Sequence, residues 1–108
     1  MGRSVEKAEW KRARVAPAET LDRLATEVAR VFEVRKAEIR GGIRRQGVVK
    51  ARAALAWMGR VELALSTRMV ARAAGVSSVS VVRLLERGHA ALDDRGIQPA
   101  ELLKICIP

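Results

Sequence analysis

The tightest local constraint in this chain is a single glycine set in apolar sequence at residues 67–86, TRMVARAAGVSSVSVVRLLE. Two short helices that cross steeply around a tight turn demand particular residue types. The first helix needs a small side chain where the second crosses it, and Ala71 supplies one. The turn needs a residue that tolerates a left-handed backbone, and Gly75 stands four positions later. Val70 and Ala74 before the turn, Val76 within it, and Val81 and Leu84 after it can lock the corner from both sides. Ser77 can cap the second helix by accepting from a free first-turn amide. The pattern predicts a helix-turn-helix.

The flanking sequence is helical as well. Leu21, Leu24, Val28, Val31 and Phe32 recur at helical spacing and predict a helix from Pro17–Thr20 to about Phe32. A short helix over Arg35–Arg40 adds Ile39 to the core, and Gly41 and Gly42 stop it. A third helix should run from Gly47 to about Leu63, with Val48, Ala51, Leu55 and Met58 along one side. Gly59 within it costs about 1 kcal/mol relative to Ala and therefore marks a contact with another helix. Ser66 is the expected N-cap of the fourth helix and Ser77 of the fifth. Gly88 is expected to interrupt the fifth, with a continuation over His89–Asp94 ending at Gly96, and Pro99 opens a last short helix. Alternating polar and apolar runs are absent, and no internal repeat is visible.

The fold class expected is all-α: a compact helical domain of five to six helices containing a helix-turn-helix. Residues 17–108 form that domain. Residues 1–16 read as a basic N-terminal arm or linker, with Trp10 its only large apolar side chain. Aromatic residues are only 3% of the chain, so the core should be aliphatic and rich in small residues.

The net charge is +9, and its placement is uneven. Residues 39–85 carry nine basic side chains against one acid, Glu62. Residues 1–38 carry nine basic against seven acidic, and residues 86–108 three against four. Nearly all the excess therefore sits in the segment that holds the corner, and a concentrated positive field favours a polyanionic partner. Double-stranded DNA is the partner that a helix-turn-helix in such a field implies.

The second helix of the corner would then enter the major groove. Its outward side chains are Ser77, Ser78, Val79, Ser80, Val82 and Arg83. Arg83 is the candidate base reader, since a guanidinium can bond both acceptors of a guanine. Ser77, Ser78 and Ser80 can bond bases or phosphates, or serve only as caps and solvated surface. Val79 or Val82 can meet a thymine methyl. Arg44, Arg45, Lys50 and Arg52 form a second basic cluster, and Arg68 and Arg72 lie on the first helix of the corner. These suit phosphate contacts, which place a domain without reading sequence. The alternative for each is an ordinary solvated helix surface.

Other chemistry is poorly represented. His89 is the only histidine, so no metal site or cofactor is expected. The lone Cys106 excludes an intrachain disulfide, reads as a small buried hydrophobe, and fits a reducing compartment. No apolar run approaches membrane-spanning length, and Met1-Gly2-Arg3-Ser4 lacks the apolar core of a secretion signal. A cytoplasmic location is the expectation. No catalytic residues are expected, since paired carboxylates, nucleophile–base sets and phosphate loops are absent.

The stretches IRGGIRRQGVVKARAALAWM and ALSTRMVARAAGVSSVSVVRLLERGHAAL, from Ile39 to Leu92, resemble the carboxy-terminal region of REP-associated tyrosine transposase-like proteins. They are similar, more distantly, to the DNA-binding domain of the bacterial chromosomal replication initiator. In both, a short helix and basic loop precede an Ala-rich helix with an Ala-Arg pair, here Ala51-Arg52, and a helix-turn-helix follows. The resemblance implies backbone contacts for Arg44, Arg45, Lys50 and Arg52, and a recognition helix carrying Ser77, Ser78, Val79, Ser80 and Arg83. The initiator's arginine-aspartate-histidine stretch is absent and the turn is shorter, which argues against replication-origin boxes as the target. The catalytic half of such transposases uses a histidine pair and a tyrosine, whereas this chain has one His and no Tyr.

Two other readings stand beside a transposase-like recognition domain. One is a standalone helix-turn-helix transcription regulator, which would pair as a homodimer on two half-sites. The other is a helical adaptor that sets its basic face on an acidic protein or RNA. Whether a homodimer or a separate catalytic domain partners the chain stays open at this level.

Overall fold

The computed structural model describes residues 17–41 and 44–106 of the 108-residue chain. The arm at residues 1–16 with Trp10, the residue Gly42, and the side chain of Cys106 lie outside the described residues. Six α-helices and no strand are found among those described: α1 Pro17–Val31, α2 Lys36–Arg40, α3 Gln46–Trp57, α4 Thr67–Ala74, α5 Ser78–Asp94 and α6 Pro99–Cys106. A π-helical turn, Met58–Glu62, continues directly from α3. The protein is all-α, and none of these helices is long and apolar enough to cross a membrane.

Helix α3 is the centre of the fold. Val48, Ala51, Ala53, Ala54, Leu55 and Ala56 are all buried, so the helix is covered on every side rather than along the single stripe expected. A helix that is apolar all round can only be accommodated inside. Its most extensive partner is α5, and α1, α2 and α4 close the remaining sides. α1 contributes Leu24 and Val28 of the expected stripe and Phe32 follows directly at its end, all fully buried, each worth about 1.5–3 kcal/mol of transfer free energy. Leu102 of α6 is also buried, and α6 packs mainly on α1.

Gly88 does not interrupt α5, which runs unbroken for 17 residues. A β-carbon at Gly88 would lie 2.3 Å from Cβ of Trp57 and 2.5 Å from the Ala53 carbonyl oxygen. The missing side chain is what lets α5 cross α3 at this point, and that contact outweighs the roughly 1 kcal/mol helix penalty of glycine. Gly59 behaves as expected: its missing side chain makes room for Val70 of α4 and Leu21 of α1.

The third helix was expected to continue regularly to about Leu63, but the last turn is widened instead. Leu63 donates its N–H to the Met58 carbonyl, and Leu65 donates to that of Gly59. Ala64 takes a left-handed conformation at φ 52°, and the Arg60 guanidinium donates to the Leu65 carbonyl. Carbonyls and amides at this helix end thus find partners without a regular continuation.

Three other helix ends share one hydrogen-bond pattern. Glu33, Gly75 and Gly96 each adopt positive φ, and the residue after each donates back five positions: Val34 to Ala29, Val76 to Ala71, and Ile97 to Leu92. This closure satisfies the last carbonyls and reverses the chain within two residues. At the end of α1, the Arg95 guanidinium lies 5.3 Å from the centre of the Phe32 ring. The segment after α5 is thereby tied to α1.

Candidate nucleic-acid interface

Helices α4 and α5 follow each other through a short turn at Gly75–Ser77 and pack on one another. The Ser66 hydroxyl accepts from the Met69 amide at 3.2 Å and starts α4. Gly75 ends it at φ 68°, ψ 34°. A β-carbon at Gly75 would stand 2.2 Å from the Arg40 carbonyl oxygen, so glycine is required both for the left-handed turn and for seating the corner on α2. The Ser77 hydroxyl accepts from the Ser80 amide at 3.2 Å and lies 3.0 Å from the Ser80 hydroxyl. Both hydroxyls are therefore engaged in the cap. Val70, Ala71, Ala74 and Val81 are buried, and Val76 and Leu84 are half-buried, as the locking pattern requires.

The amino-terminal half of α5 faces outward. Ser78, Val79, Val82 and Arg83 are exposed, Val79 at 69% and Val82 at 58%. Three large hydrophobic side chains are exposed among the described residues, and two of them are this pair, three positions apart on one helix. Val79 and Val82 thus form a small apolar strip open to water on α5.

The basic residues separate into three groups. Arg44, Arg68, Arg72 and Arg83 are exposed and, among the described residues, make no hydrogen bond or ion pair. Lys50, half-buried, likewise has none; it lines a recess of about 250 Å³ together with Gln46, Arg87 and Asp94. In the second group, Arg45 pairs with Glu38 at 2.9 Å, and Lys36 and Arg40 both pair with Asp22. The third group is internal. Arg52 is 6% exposed; its Nε donates to the Ile39 carbonyl at 2.8 Å and its Nη2 to that of Glu38 at 3.3 Å. Arg52 therefore leaves the set of surface phosphate contacts expected for it and acts as the tie between α2 and α3. Arg60 is similarly turned to the Leu65 carbonyl.

Electrostatics follow the same division. The Asp22 carboxyl is held below its ordinary range, chiefly by its hydrogen bond with Lys36, with Arg40 adding to the effect. The Glu38 carboxyl is lowered by accepting the Arg35 amide at the start of α2, and further by the charge of Arg45. Burial pushes the Arg52 guanidinium below its ordinary value.

Two further hollows gather the unpaired exposed arginines. One, of about 490 Å³, has Ala18, Leu21, Met69 and Ala73 along its walls and Arg40, Arg68 and Arg72 around them, with Asp22. The other, of about 400 Å³, brings Arg44 from the start of α3 beside Ser80, Arg83 and Arg87 of α5, with Arg52, Val76 and Leu84. Arg87 has no place among the residues expected from sequence, although its spacing reveals it: positions 80, 83 and 87 fall on one face of a helix. Arg40 joins Arg68 and Arg72 only through the packing of α2 on α4. Comparison of the chain with protein-family models, curated proteins and solved structures finds no match in any of the three.

Proposed function

We propose that this chain is a double-stranded DNA-binding domain that sets α5 into the major groove as the second helix of a helix-turn-helix. The observation that carries the reading is the outward face of α5 at a rigid, glycine-fixed corner, with Ser78, Val79, Val82 and Arg83 open and cations without partners around it. A helix of this kind presents its first turns to base edges, while surrounding cations hold the backbone. The apolar pair Val79 and Val82 suits thymine methyls, and a buried tie such as Arg52 keeps α2 and α3 in fixed relation to the corner.

The chemistry assigned to the chain is recognition alone. Its role is the DNA-recognition part of a transposase-like protein, working inside the cell with the catalytic steps carried elsewhere.

A competition titration tests the reading. Labelled duplex DNA bound to the full chain is challenged with unlabelled duplex and with single-stranded RNA of the same length. Duplex DNA should displace the label at a concentration at least about tenfold lower than RNA. Equal competition would favour an adaptor for RNA or acidic proteins and would remove the major-groove assignment.

A further inference from the structure

We infer that the hollow formed by Arg44, Arg83 and Arg87 is a seat for a backbone phosphate of the bound duplex. The inference rests on the duplex-binding reading and deepens it. It moves Arg83 from base reading to phosphate binding, and it adds Arg87 to the interface.

Four guanidiniums line this recess of about 400 Å³, the inward-tied Arg52 and the outward Arg44, Arg83 and Arg87, and no acid lines it. Arg44, Arg83 and Arg87 make no hydrogen bond or ion pair among the described residues. Other cations of the same protein are neutralised, Lys36 and Arg40 by Asp22, Arg45 by Glu38 and Arg30 by Glu27, although Arg68 and Arg72 are also left without an acid. A cluster of like charges left without an acid raises the energy of the free protein and lowers that of a complex with an anion. The guanidinium fork matches two oxygens of a phosphodiester, so arginine rather than lysine suits such a seat.

Position along α5 separates this seat from the base-facing strip. Ser80, Arg83 and Arg87 share one flank of the helix and line the recess together with Val76 of the preceding turn. Val79 and Val82 do not line it and are the most exposed large hydrophobics on α5. A helix lying in the major groove meets bases with its tip and first turns and meets phosphates with its flanks. The valine strip then supplies the direct base contacts, and the arginine flank grips one strand. The bond between the Ser77 and Ser80 hydroxyls uses one of their two protons, so the guanidiniums provide nearly all the donors of the seat.

The test uses the full chain and two duplexes, one selected from a random library and one of unrelated sequence. Wild type is compared with R44Q, R83Q, R87Q and a control, R30Q, between 50 and 200 mM salt. Each recess variant should make the slope of log K against log salt shallower by about 1 and weaken both duplexes by the same factor. R30Q should leave the slope in place, and all four variants should melt as wild type does. Unchanged slopes in the recess variants, or an equal change in R30Q, would overturn the seat. So would a change of about tenfold or more in the ratio between the two duplexes for R83Q, the mark of a base contact. A wild type that binds duplexes tightly alongside such results leaves the duplex reading intact and removes only the seat. A wild type with no duplex affinity removes both.

Discussion

The basic residues beside α2 and those beside α5 come mostly from one positively charged stretch of sequence but have opposite fates. Around α2, acids and carbonyls take up the charge: Asp22 holds Lys36 and Arg40, Glu38 holds Arg45, and the carbonyls of Glu38 and Ile39 hold Arg52. Around α5, Arg44, Arg83 and Arg87 face one recess with no partner among the described residues. The first region uses arginine to build the fold. The second leaves arginine available for something outside it. Charge density alone does not distinguish the two, because both draw mostly on the same run of basic residues.

The separation can be broken most severely at the joint between the regions. Gly75→Ala places a β-carbon against the Arg40 carbonyl and strains a backbone at φ 68°. A loss of about 3 kcal/mol or more is expected, read as a fall of more than about 10 °C in Tm by differential scanning calorimetry. Next comes the buried tie. Arg52→Ala takes the side-chain donor from the Ile39 carbonyl and one of two donors from the Glu38 carbonyl, which keeps the Gly41 amide, and should cost about 1–3 kcal/mol in urea denaturation. Arg83→Gln, the matched change on the other side, should leave the urea midpoint within error. If the two variants were equally stable, the distinction between structural and available arginines would fail.

A smaller effect concerns the acids. Asp22 and Glu38 both have folded-state carboxyls lowered below their ordinary range, so their contribution is fully present above about pH 4.5. It is lost as pH falls through the lowered folded values. Tm should therefore decline on acidification below about pH 4, and the double variant D22N/E38Q should show a flatter profile over that range. Since these pairs lie at the surface, the change should be modest and should shrink with added salt. An unchanged acid profile in the double variant would show that neither carboxylate matters to the fold.

The corner was legible because its determinants are local. A small residue, a glycine four positions later and a serine cap lie within a few residues of one another, and turn chemistry acts at that range. The stripe of α1 and the caps of α4 and α5 were readable for the same reason. Gly88 was misread because its purpose lies on another helix: only the approach of Trp57 and Ala53 explains it. Arg52 was misread for a related cause. Its acceptors are 13 and 14 residues away, and nothing in the Ala-Arg pair says whether the guanidinium points out or in. Arg87 escaped notice because it stands just beyond the strongly basic stretch, in a region of slightly negative net charge. Its partnership with Arg44 exists only after α3 and α5 have packed.

The wild-type response to salt tests the central claim most directly. If the unpaired arginines exist to neutralise a duplex backbone, six or more phosphate contacts should give a log K against log salt slope of about −5 or steeper, and affinity should fall by about 10³ or more between 50 and 200 mM. A slope no steeper than about −2 would contradict it, because a duplex held that way does not use the cations this fold leaves free.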